Sequence, residues 1–205
     1  MSNETMQTLR TNTVQGFGVK AWHYRQGISN QPYPDAVPED VVAGMFPQIV
    51  EVPNGYQAPP TITPDGVSAG EWTPNPDHKT LLRADTNAPL AVVGKDYGVH
   101  QYAPTLLGMG LPVACAGILR EGRHAWVQYG TADEVMTADN VRFTTKLLCV
   151  TSADASLATQ MRYVTTLAVC DNTLSAALRE GGDTVQRVRH TRLSVARVED
   201  MRRAF

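Results

Sequence analysis

The stretch from Cys149 to Phe205 constrains the fold of this chain most. It reads, in order, as a β-hairpin, a capped helix, a basic strand and a basic amphipathic helix. Phe143 to Thr151 and Leu157 to Cys170 supply the long strand pair, across Ser152-Ala153-Asp154-Ala155. Asp171 to Arg179 is a helix, with Asp171 or Asn172 as its cap and Gly181-Gly182 as its stop. Thr184 to His190 reads as a strand. Ser194 opens a last helix, with Val195, Val198, Met201 and Phe205 along one side.

The preceding residues extend the same texture. Val113 to Leu119 and Ala125 to Tyr129 form a hairpin across Arg120-Glu121-Gly122-Arg123. Thr80 to Ala84 and Leu90 to Val93 are strands around the turn-like Asp85-Thr86-Asn87, and Tyr97 to His100 continues the second. Tyr102 to Met109 is a short helix. Ala36 to Phe46 is another, with Pro38 in its first turn and Glu39 and Asp40 at the positive end of its dipole. Gln48 to Val52 is a further strand. This order predicts an α+β fold, a mostly antiparallel β-meander with helices packed on one face. Residues 1–35 read as an irregular arm with an aromatic patch at Phe17, Trp22 and Tyr24, and residues 36–205 as a single domain. Residues 53–78, rich in Pro, Gly and Thr, read as an extended loop insertion, with room for a short strand at Pro60 to Pro64.

The composition excludes several classes. An apolar fraction of 42% and a charged fraction of 19% are those of an ordinary globular chain. Cys115, Cys149 and Cys170 are odd in number and widely spaced, which argues against a disulfide framework or a zinc site and for buried thiols in a reducing cytoplasm. No apolar run is long enough to span a bilayer, so no membrane partner is expected. The polar start lacks the apolar core of a secretion signal.

Catalytic motifs are absent from the sequence. There is no phosphate-binding loop and no GxSxG elbow, and Gly16-Phe17-Gly18 is too short for a dinucleotide fingerprint. None of His23, His78, His100, His124 and His190 lies at chelate spacing from another ligand. His124 reads as a solvated turn residue. Asp154 reads as a turn residue that caps its own backbone. The expectation is therefore no catalytic residue, no metal and no cofactor.

The charge distribution points elsewhere. Met1 to Thr159 carries ten Lys and Arg against fifteen Asp and Glu, while Gln160 to Phe205 carries eight against five. In an extended strand, side chains two apart share a face at roughly 6.6 Å. Arg187 and Arg189 therefore project together, with Gln186, Val188 and His190 on the other side. Two guanidinium groups so placed can each take phosphate oxygens bidentately. Arg192 follows in the connection, and Arg197, Arg202 and Arg203 lie on the last helix. Arg162 and Tyr163 occupy the preceding strand pair, with Arg142 and Lys146 on its partner. The candidate nucleic-acid surface is thus Arg142, Lys146, Arg162, Tyr163, Arg187, Arg189, His190 and Arg192. The alternative is that these arginines only solvate a face or pair with acids such as Glu199 and Asp200.

At these residues the chain resembles a known family. The matching pieces are Val92 to Gln101, Gly117 to Val127, Thr151 to Ser156, Val169 to Leu178 and Val188 to Arg192, with Val37 to Val52 fitting more loosely. They resemble the phage- and plasmid-encoded family catalogued as domain of unknown function 932. The family often has His-Asp-Gly-Ser where this chain has Ala153-Asp154-Ala155-Ser156, and an Arg where it has Ala168. The resemblance implies a phage-like context in a bacterial host cell and no defined activity.

Three functions follow as expectations. The first is a nucleic-acid-binding protein acting on single-stranded DNA as a homo-oligomer. By fold-level analogy it could anneal strands as Rad52-like recombinases do, without nucleotide or metal. The second is a protein-interaction or host-takeover module whose last helix docks through Val195, Val198, Met201 and Phe205. The third is an enzyme on nucleic acid or nucleotides, which needs Asp154, His190 and His100 brought together by the fold.

Overall fold

A computed structural model describes residues 7–10, 33, 36–136, 142–168, 170–180 and 185–205. Along the chain run β1 (Gln7–Arg10), α1 (Glu39–Met45), β2 (Ile49–Gln57), β3 (Thr61–Thr63), β4 (Gly66–Ser68), β5 (Trp72–Arg83) and β6 (Pro89–Gly94). Then come α2 (Tyr102–Leu106), β7 (Val113–Leu119), β8 (His124–Met136), β9 (Arg142–Ser152), β10 (Thr159–Val164), α3 (Asp171–Ala177), β11 (Gln186–Val188) and α4 (Ser194–Arg203). Among the described residues, no helix is long and apolar enough to cross a membrane.

The frame is a six-stranded sheet in the order β1-β7-β8-β9-β10-β11, antiparallel at every pairing. The α+β class with mostly antiparallel strands holds. Both faces of the central strands are buried. On β8, Ala125, Val127 and Tyr129 face one core while Trp126 faces the other; on β9, Leu147 and Cys149 oppose Leu148 and Val150 in the same way. The larger core gathers residues of α1, α2 and α4, including Val42, Leu106, Val198 and Met201. On the opposite face α3 lays Leu174 and Ala177 over Trp126, Leu148 and Val164. Three helices therefore cover one face as expected, and α3 closes the other. Fully burying a side chain of this size contributes roughly 1.5–3 kcal/mol. Gly117 pairs directly with Trp126, and any Cβ there would overlap the indole ring, so only glycine fits.

Two sequence expectations give way here. Residues 53–78 are not an extended loop. β2 and β5 pair as far as Gln57 opposite Trp72, with a register shift between Pro53 and Gly55, and β3 and β4 form a small hairpin near the tip. The prolines sit where their missing N–H is tolerated. Pro53 lies on the edge strand of the sheet ordered β2-β5-β6, Pro74 lies where β5 has β2 alone beside it, and Pro76 lies in the register shift, opposite no residue of either neighbour. The arm looked structureless because β3 and β4 are exposed throughout, and a ribbon without a buried face shows no alternation of polarity. The room for a strand at Pro60 to Pro64 is filled by β3. Within the predicted irregular arm 1–35, Gln7–Arg10 instead pairs with β7, from Gln7 opposite Ile118 to Arg10 opposite Cys115. The patch Phe17, Trp22 and Tyr24 lies outside the described residues.

Smaller differences follow from local chemistry. The α3 N-cap is Cys170, whose backbone N–H donates to Thr173 Oγ1 at 2.9 Å, while Asp171 pairs with Arg120 at 3.1 Å. The predicted stop at Gly181-Gly182 lies outside the described residues. Val198 and Met201 are buried in the chain's own core and Phe205 packs against it, so of the α4 stripe only Val195 is left exposed. Cys115, Cys149 and Cys170 are all buried, and burial pushes the Cys149 thiol up to about 12, which leaves it unreactive near neutrality.

Candidate functional site

Two polar groupings stand out, one internal and one on the surface. The internal one begins where β9 and β10 set Thr151 and Thr159 side by side, their Oγ1 atoms 2.7 Å apart. Thr159 Oγ1 lies 2.6 Å from His100 Nδ1, and His100 Nε2 lies 2.7 Å from Ser194 Oγ. The hydroxyl of Ser194 donates to the Thr191 carbonyl at 2.6 Å, so it accepts from His100 Nε2–H. His100 Nδ1 then accepts from Thr159, whose oxygen accepts from Thr151. His190 donates from Nδ1 to the Gly98 carbonyl at 3.2 Å, leaving Nε2 to face Thr151 and Thr159 at 3.3 and 3.4 Å. Its ring is stacked between Tyr97 and His100, with centroids 5.0 and 4.1 Å away.

With both imidazoles neutral, His100 is satisfied at both nitrogens, while His190 Nε2 is an acceptor facing two hydroxyls whose protons are committed within the chain of bonds. Burial, and then the neighbouring His190, lower the pKa of His100 to about 4, and burial also lowers that of His190. With His100 only 2% exposed and both its nitrogens engaged, the cluster acts as a polar staple. It ties the 97–100 segment, predicted to be a strand but irregular here, to β9, β10 and the start of α4. Gly98 makes the approach possible: a Cβ there would collide with the Thr191 carbonyl. Gly98→Ala is therefore expected to cost about 1–3 kcal/mol of stability, measured by urea unfolding, because two backbones must separate.

His100 and His190 thus meet, as an enzyme reading required, but Asp154 serves another histidine. Its Oδ2 lies 3.4 Å from His124 Nε2, which also meets Ser156 Oγ at 2.7 Å. Asp154 Oδ1 accepts from the Ser156 backbone N–H at 3.0 Å, the turn cap expected of it. Burial opposes the Asp154 carboxylate, yet hydrogen bonds from His124 and Ser156 hold it well below the ordinary range. His124 is not solvated but 4% exposed, because the 152–156 turn folds over it, with Ala153 N–H donating to the Arg123 carbonyl at 2.7 Å. Among the described residues, no three His, Cys, Asp or Glu side chains are placed to hold a metal ion.

The surface grouping is smaller than the sequence set. Arg162 is 2% exposed. Its guanidinium donates to the carbonyls of Leu178 at 2.6 Å and Glu180 at 3.1 Å, beyond the end of α3, and to Gln160 Oε1 at 2.7 Å. Lys146 is half-buried, and burial lowers its pKa against the opposing charge of Glu180. Tyr163 lies on the opposite face from Arg162, with its ring edge-on to Phe205 at 5.5 Å. His190 belongs to the staple. Arg142 is placed only by its backbone, which opens β9; its side chain lies outside the described structure. Arg187, Arg189 and Arg192 are exposed, Val188 is buried and His190 is half-buried in the staple, while Gln186, expected on the side of Val188, is exposed as well. Arg187 Nε donates to Gln160 Oε1 at 3.2 Å. Arg197 of α4 is exposed too. Arg202 is taken up by Glu199 at 3.2 Å and by the carbonyls of Pro104, Leu107 and Gly108. Among the described residues, Arg187, Arg189, Arg192 and Arg197 meet no carboxylate.

No curated protein and no solved structure matches this chain. The family model for Domain of unknown function (DUF932) matches residues 89–205, more than half of the chain, and takes in the staple, the Arg162 contacts and the outward arginines; the chain belongs to that family.

Proposed function

We propose that this domain binds single-stranded nucleic acid along the outer edge of its six-stranded sheet, through Arg187, Arg189, Arg192 and Arg197. The observation that carries the reading is that these four guanidinium groups are exposed and meet no carboxylate among the described residues. Residues 185–205 hold six arginines against Glu199 and Asp200. β11 pairs with β10 on one side, and Arg187 and Arg189, on either side of the buried Val188, are exposed at a spacing suited to successive phosphates of an extended strand. Contact with the backbone leaves the bases open to pairing, which suits a strand-annealing role.

The test is a fluorescence anisotropy titration of a labelled single-stranded oligonucleotide. If four phosphates are neutralised, affinity falls roughly 50-fold between 50 and 200 mM salt, from a slope of about −0.7 per contact. Absence of salt-dependent binding overturns the reading.

A further inference from the structure

The β2–β5 arm carries large apolar side chains that no other described residue covers. Ile62 is 84% exposed and Val67, directly opposite it, 71%. Tyr56 and Trp72 add exposed rings closer to its base. From Asn54 to Asp77 the sequence has three carboxylates, Asp65, Glu71 and Asp77, and no Lys or Arg. Asp77 is matched by Lys95 at 2.8 Å, which leaves Asp65 and Glu71 flanking the apolar tip. A ribbon of this kind repels phosphate. It selects an apolar surface rimmed by cations.

The same chain carries such a surface. At the start of α4, Leu193 is 80% exposed and Val195 61%. Arg192 and Arg197 lie within a turn of them and meet no carboxylate among the described residues. The high exposure of both patches means that the arm does not reach this surface within its own chain.

We propose that the arm of one copy docks on the Arg192–Arg197 patch of a second copy. Ile62 and Val67 lie against Leu193 and Val195, and Asp65 and Glu71 face Arg192 and Arg197, which leaves Arg187 and Arg189 to nucleic acid in an assembled copy. The two patches differ, so the contact is head-to-tail and leaves each pair of copies with one free arm and one free acceptor. Such an interface propagates into a ring or a filament.

Sedimentation velocity of the full chain across a concentration series, without nucleic acid, tests this. The mass is expected to rise with concentration above the single-chain 22.3 kDa. Ile62→Asp with Val67→Asp removes the arm, and Leu193→Asp with Val195→Asp removes the acceptor. All four positions are exposed, so both variants keep the fold, which circular dichroism checks. Each is expected to be monomeric alone, and their mixture to give a single heterodimer, since one intact interface remains. Asp65→Lys with Glu71→Lys is expected to weaken assembly with the apolar contact unchanged. A wild-type monomer at every concentration overturns the proposal, as does a mixture that stays monomeric. Self-association of the acceptor variant would show arm-to-arm pairing instead and would equally overturn it. Because no nucleic acid is present, these outcomes are independent of the oligonucleotide titration.

Discussion

Arg162→Met is expected to lower the unfolding free energy by about 3 kcal/mol, although the side chain is almost wholly inside the protein. Methionine fills similar volume, so the loss is not one of packing. What disappears is the set of donors to the Leu178 and Glu180 carbonyls and to Gln160 Oε1. The two carbonyls lie just past the end of α3, where a helix C-terminus needs donors for its last carbonyls. Stranding a buried acceptor costs about 1–3 kcal/mol, and bonds from a charged donor are the stronger kind. An arginine held this way carries its own desolvation cost, since burial, and then the nearby Arg187, pull its pKa below the ordinary value. That cost offsets part of the loss, which keeps the expected figure near 3 rather than at the sum of three bonds. Urea unfolding monitored by tryptophan fluorescence measures it. At a temperature where the variant is folded, its nucleic-acid affinity should match the wild type, which separates a fold role from a binding role. A fully stable variant that binds weakly would contradict this assignment.

Acidification is expected to remove stability in a defined window. The folded pKa of His100 is about 4 against an ordinary 6.5, and that of His190 is lowered too. A histidine whose folded pKa is depressed contributes its full stability above the unfolded value. As pH falls below about 6.5 the unfolded chain takes up protons that the folded chain refuses. Each such imidazole then costs about 1.4 kcal/mol per pH unit until its folded pKa is reached. The Asp154 carboxylate acts in the same direction but only at lower pH, because its unfolded value lies near 3.8. Urea midpoints at pH 7, 6 and 5 should therefore fall steeply and continuously. In His100→Asn the decline between pH 6.5 and 5 should be shallower by about one proton's worth. An unchanged slope would mean that the staple does not govern acid sensitivity.

These features differ in how far they could be read from the sequence. The β7–β8 and β9–β10 pairs were legible because β-prone runs are separated by turn residues, although β10 ends at Val164 rather than running to Cys170. The outward aim of Arg187 and Arg189 followed from strand parity alone. The β2–β5 arm was hidden because a ribbon with no buried face carries no polarity signal. Arg162 misled because an arginine in a strand is ordinarily solvated, and only the docking of the α3 end, contributed by Leu178 and Glu180, encloses it. His124 misled for the same reason: the residues that bury it come from the 152–156 turn. The staple joins His100 to Ser194 across most of the matched family region. Its one local trace is that Thr151 and Thr159 occupy strand positions that face the core.

The proposed nucleic-acid contact rests on the exposed arginines at the sheet edge. The most direct test compares the salt dependence of oligonucleotide binding for the wild type and for Arg187→Ala with Arg189→Ala. Loss of two phosphate contacts should weaken binding and make the slope of log affinity against log salt shallower by about 1.4. Two superimposable salt series, with the double variant folded, would contradict it.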